Sequence, residues 1–306
     1  MLIALLQALI SGLAVGGIYA LVALGFSITF TSTRTLNFSH GEFVSAGAFV
    51  GVSVLLLLTG KSITGTINAE SVQVWHQIVA VLVAITVMGI LGIVLYVLGV
   101  RPFAGKPGMS WVVSTIGFGI VLQSFGNSIW GAGTVMVPSP VSNDVVRFFG
   151  IGVRPQEILV LVVAIAVMLI FDWAMNKTVL GKVMRAVAHN KQVASLMGIN
   201  VTAVMMGAFF VSAALAGLSG VLIAPISSVS LFMGLAIGLK GFSAGIIGGL
   251  SNPRGCALGG FVLGVLESMV NLWQAQWRDI FVFLIVILVL AFKPNGLFGK
   301  QMVEKV

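Results

Sequence analysis

Charge is what this chain has least of. Asp, Glu, Lys and Arg make up 8% of its 306 residues, and only eight of these are acidic. A soluble domain carries about 25% charged residues, so this chain cannot cover a water-facing surface. Cysteine is scarcer still: Cys256 stands alone among glycines and alanine. That excludes a disulfide framework and a cysteine-based metal site. Catalytic and nucleotide motifs are missing too. A Walker A loop needs Gly-x-x-x-x-Gly-Lys-Ser/Thr to cradle phosphates. "TGKSITG" at Thr59–Gly65 has the Gly-Lys-Ser, but the position five before Gly60 is Leu55. No His-Glu-x-x-His is present, and His40, His76 and His189 are dispersed. Neither catalysis nor a cofactor of the chain's own is expected.

What the chain has is oil. It is 58% hydrophobic, with a mean hydropathy of +1.14. Several runs reach the ~18 apolar residues of a membrane span. They are apolar on all sides rather than alternating, which excludes barrel strands and leaves helices. The expected class is an all-α, polytopic membrane protein of eight to nine transmembrane helices. The spans are read at Leu5–Thr29, Gly41–Leu58, Val79–Val100, Trp111–Trp130, Ile158–Met175, Thr202–Ile226, Leu231–Gly249, Gly255–Trp273 and Ile280–Phe292. Leu231–Gly249 holds Lys240 and many glycines, so it reads as a full span, a broken helix or a re-entrant segment. The start has no Lys or Arg before its apolar run and reads as a first span, not a cleaved leader.

The net charge of +8 does not point to nucleic acid, because no basic stretch is interleaved with aromatics. It reads as topology. With the N-terminus outside and every segment crossing, Arg34, Arg101, Lys106, Lys177, Lys182, Arg185, Lys191, Arg254, Lys293, Lys300 and Lys305 fall inside. Lys61, Arg147, Arg154 and Arg278 fall outside. That asymmetry matches the positive-inside rule and puts the C-terminus in the cytoplasm. The outer loop Gly131–Gln156 carries Pro138, Pro140 and Pro155, which favour a fixed, non-helical shape.

Glycines four apart, as in Gly12/Gly16, Gly241/Gly245, Gly255/Gly259 and Gly260/Gly264, let helix backbones approach closely in lipid. "EFVSAGAFVG" near the first third resembles "GFSAGIIGG" near the last. Internal repeats are common in transporters, although a short glycine-biased match also arises from composition alone.

Ionisable groups inside spans are costly and are functional candidates. Glu42 follows Asn37, Ser39 and His40 at the inner end of the second span. Ser39 with Glu42 also fits a capping box. Glu267 lies near mid-span, and Lys240 lies in an apolar setting one segment earlier. They read as an ion pair or a shared polar lining. Asn37, His40, Glu42, Lys240 and Glu267 are the candidates for a translocation path. Gln123 and Asn127 share a helix face and suit helix contact or path lining.

"GKVMRAVAHNKQVASLMGIN", Gly181 to Asn200, is the exception to the oil. On a wheel over Lys182–Met197, Val183, Val187, Asn190, Ala194 and Met197 form one stripe. Lys182, Arg185, His189 and Gln192 lie roughly opposite. This is a short amphipathic helix, with Gly198 suited to its stop. It lacks the Trp or Phe anchors of a lipid-lying helix. Its small residues suit docking in a protein groove.

Five stretches in order carry a family resemblance: "GGIYALVALGFSITF", "LNFSHGEFVSAGAF", the Gly181–Asn200 segment, "GLKGFSAGIIGGLSNPRGCALGGFVLGVLE" and "FKPNGLFG". Nearly end to end, the chain resembles the LivH-like permeases of branched-chain amino acid ABC transporters. The resemblance implies one permease domain over residues 1–306, in a bacterial inner membrane. It implies a second permease subunit, two cytoplasmic ATPases that bind the ATP, and a periplasmic binding protein that delivers an amino acid. Related cargoes are urea, short amides or aromatic acids. A lone channel or carrier is the alternative mechanism. The resemblance also implies that a cytoplasmic segment at about 177–200 transmits ATPase motion. Lys182, Arg185, His189, Gln192, Ala194 and Gly198 would act there. Gln192 and Val193 stand where the wider class's Glu-Ala-Ala-x-x-x-Gly loop has an acid and an alanine.

Overall fold

The computed structural model describes residues 2–62, 65, 67, 72–103, 109–141, 144–148 and 151–299. Lys106, Lys300 and Lys305 lie outside them. Eleven α-helices carry the described chain: α1 Leu2–Thr33, α2 His40–Leu58, α3 Val74–Leu95, α4 Ser110–Trp130, α5 Pro155–Lys177, α6 Val179–His189, α7 Lys191–Leu196, α8 Val201–Ile223, α9 Met233–Gly248, α10 Pro253–Trp273 and α11 Arg278–Phe292. Helix α3 continues through a π-helical turn, Tyr96–Val100, and a 3-10 turn, Arg101–Phe103. Pro155 and Pro253 sit at the first turns of α5 and α10, where a missing N–H removes no intrahelical bond.

Among the described residues, eight helices are long and apolar enough to cross a membrane. Helix α9, with 16 residues, spans about 24 Å at 1.5 Å per residue. It starts just after Val229, which pairs with Val135 in the loop beyond α4. It ends at Gly249, packed against Asn295 and Gly299 beyond α11. Its first turn packs on Gly41 and Ser45 of α2, and its last turn on the residues after α11, so it is shorter than the eight long helices. One end of the bundle, the basic face, holds Arg34, Arg101, Lys177, Lys182, Lys191 and Lys293. The other holds the start of α1.

The bundle is built from two halves. Helices α2 and α9 carry the paired "FVSAG" and "FSAG" stretches and cross with almost no side chain between them. A Cβ on Gly41 would lie 3.1 Å from Gly238 Cα, and one on Gly234 would lie 2.8 Å from Ser45 Oγ. Gly41 meets both Gly234, whose carbonyl is its nearest neighbour, and Gly238, so the first turns of the two helices cross there; from the crossing α2 runs to Ser53 beside Trp130 and α9 to Gly249 beside Gly299, in opposite directions. The rest of the packing repeats this relation. Helix α1 lies along α10 as α8 lies along α3. Helix α9 packs on α1 as α2 packs on α8. Helix α2 touches α3 and α4 as α9 touches α10 and α11. Helices α1–α4 and α8–α11 are therefore an inverted repeat of the kind transporters use, with α5–α7 between them.

The four-residue glycine spacing does what it predicts at the α1–α10 contact. A Cβ on Gly12 would lie 2.8 Å from Val265 Cα, and one on Gly16 2.9 Å from Phe261 Cα. Any side chain there would push the backbones apart. Small residues thus set the distance between the two halves.

The loop after α4 is held to the bundle. A short antiparallel hairpin, β1 Val146–Phe148 and β2 Ile151–Val153, lies within it. Gln77 Nε2 donates to the Pro138 carbonyl at 3.3 Å, and Gln156 Nε2 to the Leu222 carbonyl at 2.9 Å. The described residues between Gly131 and Arg154 are non-helical, as the prolines favour, and Pro155 instead starts α5.

Candidate functional site

The sequence candidates fall into two intramembrane clusters and one surface segment. The first cluster is built where α2 begins. Arg34 adopts a left-handed conformation (φ 61) at the end of α1, and the chain turns back. His40, the first residue of α2, packs against Gly25 of α1. Gly25 lies eight residues before Thr33, so α2 starts about 12 Å inside the end of α1. The cluster lies at the inner end of the second span, as expected, and that end is set deep in the bundle.

A capping box was expected from Ser39 and Glu42, and the structure corrects it. Asn37 Oδ1 accepts from Ser39 Oγ at 2.6 Å and from Ser39 N at 3.1 Å. With its hydroxyl committed, Ser39 makes no side-chain cap. Glu42 is freed from the helix end and lies against Gly119 of α4. His40 is fully buried. Its Nδ1 lies 3.4 Å from Ser212 Oγ, which donates to the Gly25 carbonyl at 2.9 Å. Its ring meets Phe26 edge-on at 4.6 Å. His40 therefore sits where α1, α2 and α8 meet.

The second cluster joins α9, α10 and α11. Lys240 Nζ donates to Glu267 Oε1 at 2.7 Å, so the expected pair is formed. It also lies 2.9 Å from Asp279 Oδ1. Arg278 Nε lies 3.2 Å from Glu267 Oε1. Arg278, the half-exposed first residue of α11, also joins this cluster, which the sequence did not suggest. Lys240 and Glu267 are buried and pair with each other, while the half-exposed Arg278 and Asp279 close the cluster from its open side. Tyr19 of α1 faces the same carboxylate. Asp279 went unnoticed in the sequence because an acid in a helix's first turn is ordinary.

The two clusters share an unusual feature. Among the described residues, three buried side-chain atoms find no hydrogen-bond partner within the chain: His40 Nε2, Glu42 Oε2 and Glu267 Oε2. Buried polar atoms are nearly always paired. All three belong to residues singled out as ionisable groups in apolar runs. Asn37 is different, since its Oδ1 is spent on the turn.

The surface segment differs from the single helix expected over Lys182–Met197. It is two helices, α6 and α7, broken at Asn190. Asn190 Oδ1 accepts from Gln192 N at 2.9 Å and Val193 N at 3.0 Å, capping α7. Asn190 is therefore exposed and does not belong to the inward stripe. Met197 is also outside it, at 78% exposure. Val187 and Ala194 are buried as expected, and Gly198 ends the segment at φ +81. Thr178 caps α6 through Gly181 N at 3.4 Å.

Two basic residues tie this segment to the spans. Arg185 Nη1 donates to the Met175 carbonyl of α5, so this guanidinium is engaged within the chain. Lys191 Nζ donates to the Thr33 carbonyl of α1 at 3.1 Å. Burial, and then the Arg34 guanidinium beside it, hold the Lys191 ammonium below the usual lysine range. Lys182, His189 and Gln192 are exposed. Beside them stand Val179, Leu180, Leu196 and Met197, all at least 72% exposed. No cluster of His, Cys, Asp and Glu among the described residues could hold a metal.

Comparison with known proteins covers nearly the whole chain. Residues 8–290 match the family model described as branched-chain amino acid transport system permease component. The chain is 28% identical to the high-affinity branched-chain amino acid transport system permease protein LivH of Escherichia coli K12, over 98% of this chain and 97% of that protein. It is 29% identical to the corresponding BraD of Pseudomonas aeruginosa, over 98% of each. A probable branched-chain amino acid transport permease LivH of Methanocaldococcus jannaschii is 24% identical, over 91% and 88%.

Proposed function

The chain belongs to the branched-chain amino acid transport permease family, and from that premise we propose that it is the membrane-crossing subunit of an ATP-driven importer for branched-chain amino acids. What carries this reading is a family match that runs through both inverted halves and the segment between them. A permease component is a transporter, not a catalytic enzyme. The names of its relatives support branched-chain cargo over urea, amides or aromatic acids. ATP would be bound by separate ATPases at the basic face, and a binding protein would deliver the amino acid to the opposite face. The positive-inside rule supports making the basic face cytoplasmic. A second permease would complete the path. Helix α4 is its proposed seat, because Ser124, Asn127 and Ser128 stand exposed there at a depth where lipid offers no hydrogen bonds.

The mechanism is alternating access. The exposed apolar patch of α6–α7 would dock in the ATPases, with Lys182, His189 and Gln192 at its polar border. Ala194 and Gly198 would serve by packing and by turning. Arg185 and Lys191 would pass the motion to α5 and α1. The two halves would rock about the glycine contacts. Glu42, His40 and Glu267 would line the path, their unpartnered atoms taking bonds from passing water and the amino acid. Lys240 would hold Glu267 in place and Asn37 would shape the turn. Labelled leucine uptake into proteoliposomes holding the assembled importer tests the cargo. Competition by isoleucine and valine, and none by urea, is expected. Competition by urea with none by isoleucine would overturn the cargo.

A further inference from the structure

A cavity of about 850 Å³ opens at the basic face between α1, α5, α6 and α10. Leu24, Met168, Phe171 and Ala257 line it, so α5 and α10 stand apart across an apolar gap. Deeper in, both helices rest on α1. A Cβ on Gly17 would lie 3.0 Å from Ala164 Cβ of α5, and one on Gly260 of α10 would lie 2.8 Å from Ala20 Cβ. Helix α1 is therefore a common hinge, and the ends of α5 and α10 at the basic face are arms on either side of it.

An ion pair joins the two arms. Arg254, in the first turn of α10, donates through Nη2 to Asp172 Oδ2 at 2.9 Å and through Nε to Oδ1. A two-point, charge-assisted contact fixes orientation as well as distance. Asn176 Nδ2, one turn on, donates to Asp172 Oδ1 at 2.9 Å and steadies the carboxylate. Each arm is also tied at its other side. Met175 lies three residues past Asp172 on α5 and accepts the Arg185 bond from α6. A Cβ on Gly181 would run into the same Met175 backbone, so displacement of α6 moves this end of α5. On α10, the turn before Arg254 is strapped by the residues after α11. Leu297 N donates to the Ile247 carbonyl at 2.8 Å, and Asn252 Nδ2 to the Phe298 carbonyl at 3.0 Å. Farther along, the same helix carries Glu267.

A hinge passes no torque. The glycine contacts with α1 allow α10 to turn but do not turn it. Arg254 lies six residues from Gly260, about 9 Å along α10, so a force applied there has a lever arm. We infer that the Asp172–Arg254 pair carries motion of α6 across the gap to α10, which makes both of them positioning residues for Glu267. This rests on the reading of α6–α7 as the segment that docks the ATPases. An exposed ion pair contributes little to stability, so losing it should leave the fold intact and disturb transmission alone.

The test is hydrogen exchange of the full importer complex in detergent, with and without a non-hydrolysable ATP analogue. In the unsubstituted chain, nucleotide should change exchange both in α6 and at residues 274–279, which hold Arg278 and Asp279 of the Glu267 cluster. D172N and R254Q should keep the change in α6 and lose the change at 274–279, with the unfolding temperature unaltered. In proteoliposomes each should raise ATP consumed per leucine moved; single links in coupling networks shift coupling by roughly 2- to 30-fold. D172N/R254Q should be no worse than the worse single variant, because the pair acts as one unit. If R254Q fails to assemble, D172N alone decides. An unchanged nucleotide response at 274–279 in D172N overturns the inference, as do additive losses in the double variant. A response in unsubstituted α6 with none at 274–279 overturns the link alone. No response in unsubstituted α6 would instead refute the docking reading, and the link with it.

Discussion

At the scale of single residues, the informative positions were polar groups in oil. Lys240 and Glu267 were legible because a charge inside an apolar run has to find its opposite, and they do meet at 2.7 Å. Arg278 and Asp279 were not, because they sit at a helix start where charge is commonplace. Ser39 and Glu42 misled for a similar reason. The capping pattern is local, but the competing acceptor, Asn37 Oδ1, depends on how the turn folds. The buried pair of the second cluster predicts that E267L destabilises the chain by about 3 kcal/mol, since it leaves buried Lys240 undercompensated. Thermal unfolding in detergent should show this, and K240M/E267L should recover part of the loss. An unchanged unfolding temperature for E267L would count against the network. In the first cluster, E42Q keeps the shape and removes the charge. It should lower leucine uptake severalfold while assembly and ATPase binding stay normal, and unaltered uptake would remove Glu42 from the path.

At the scale of elements, the spans were readable because lipid leaves a helix no alternative. The length of α9 was not, since its boundaries depend on the turns at each end. The amphipathic segment was half legible. Val187 and Ala194 lie on the buried side as the wheel predicts, but a wheel assumes one continuous helix. Asn190 is a strong cap residue, and that was the available signal for the break. N190A should cost about 1 kcal/mol of local stability and loosen α7 from α6. In the reconstituted importer this should raise ATP consumed per leucine moved; an unchanged ratio would show that the break has no part in coupling. Charge reversal is better placed at Lys182 than at Arg185, whose guanidinium already holds Met175. K182E should weaken ATPase binding or uncouple it while the spans stay folded. The α1–α10 contact gives a separate test: G16L should prevent the two helices from closing, and it should yield little monodisperse protein.

At the scale of the whole molecule, the sequence carried only a hint of symmetry, the two short Phe-Ser-Ala-Gly stretches. Composition could have produced it, and only the packing of α1–α4 and α8–α11 distinguishes an inverted repeat from chance. Net charge and glycine content made membrane class and close packing legible from the start. The path was less so, because which face of each span turns inward is decided by neighbours. The central claim is that this chain conducts but does not power transport: motion made by other subunits enters through α6–α7 and rocks the two halves. The most direct measurement is leucine uptake into proteoliposomes containing this chain alone, the full set of partners without ATP, or the full set with ATP. The account predicts accumulation in the last case only. Uptake by the chain alone, or by the complete complex without ATP, would contradict it.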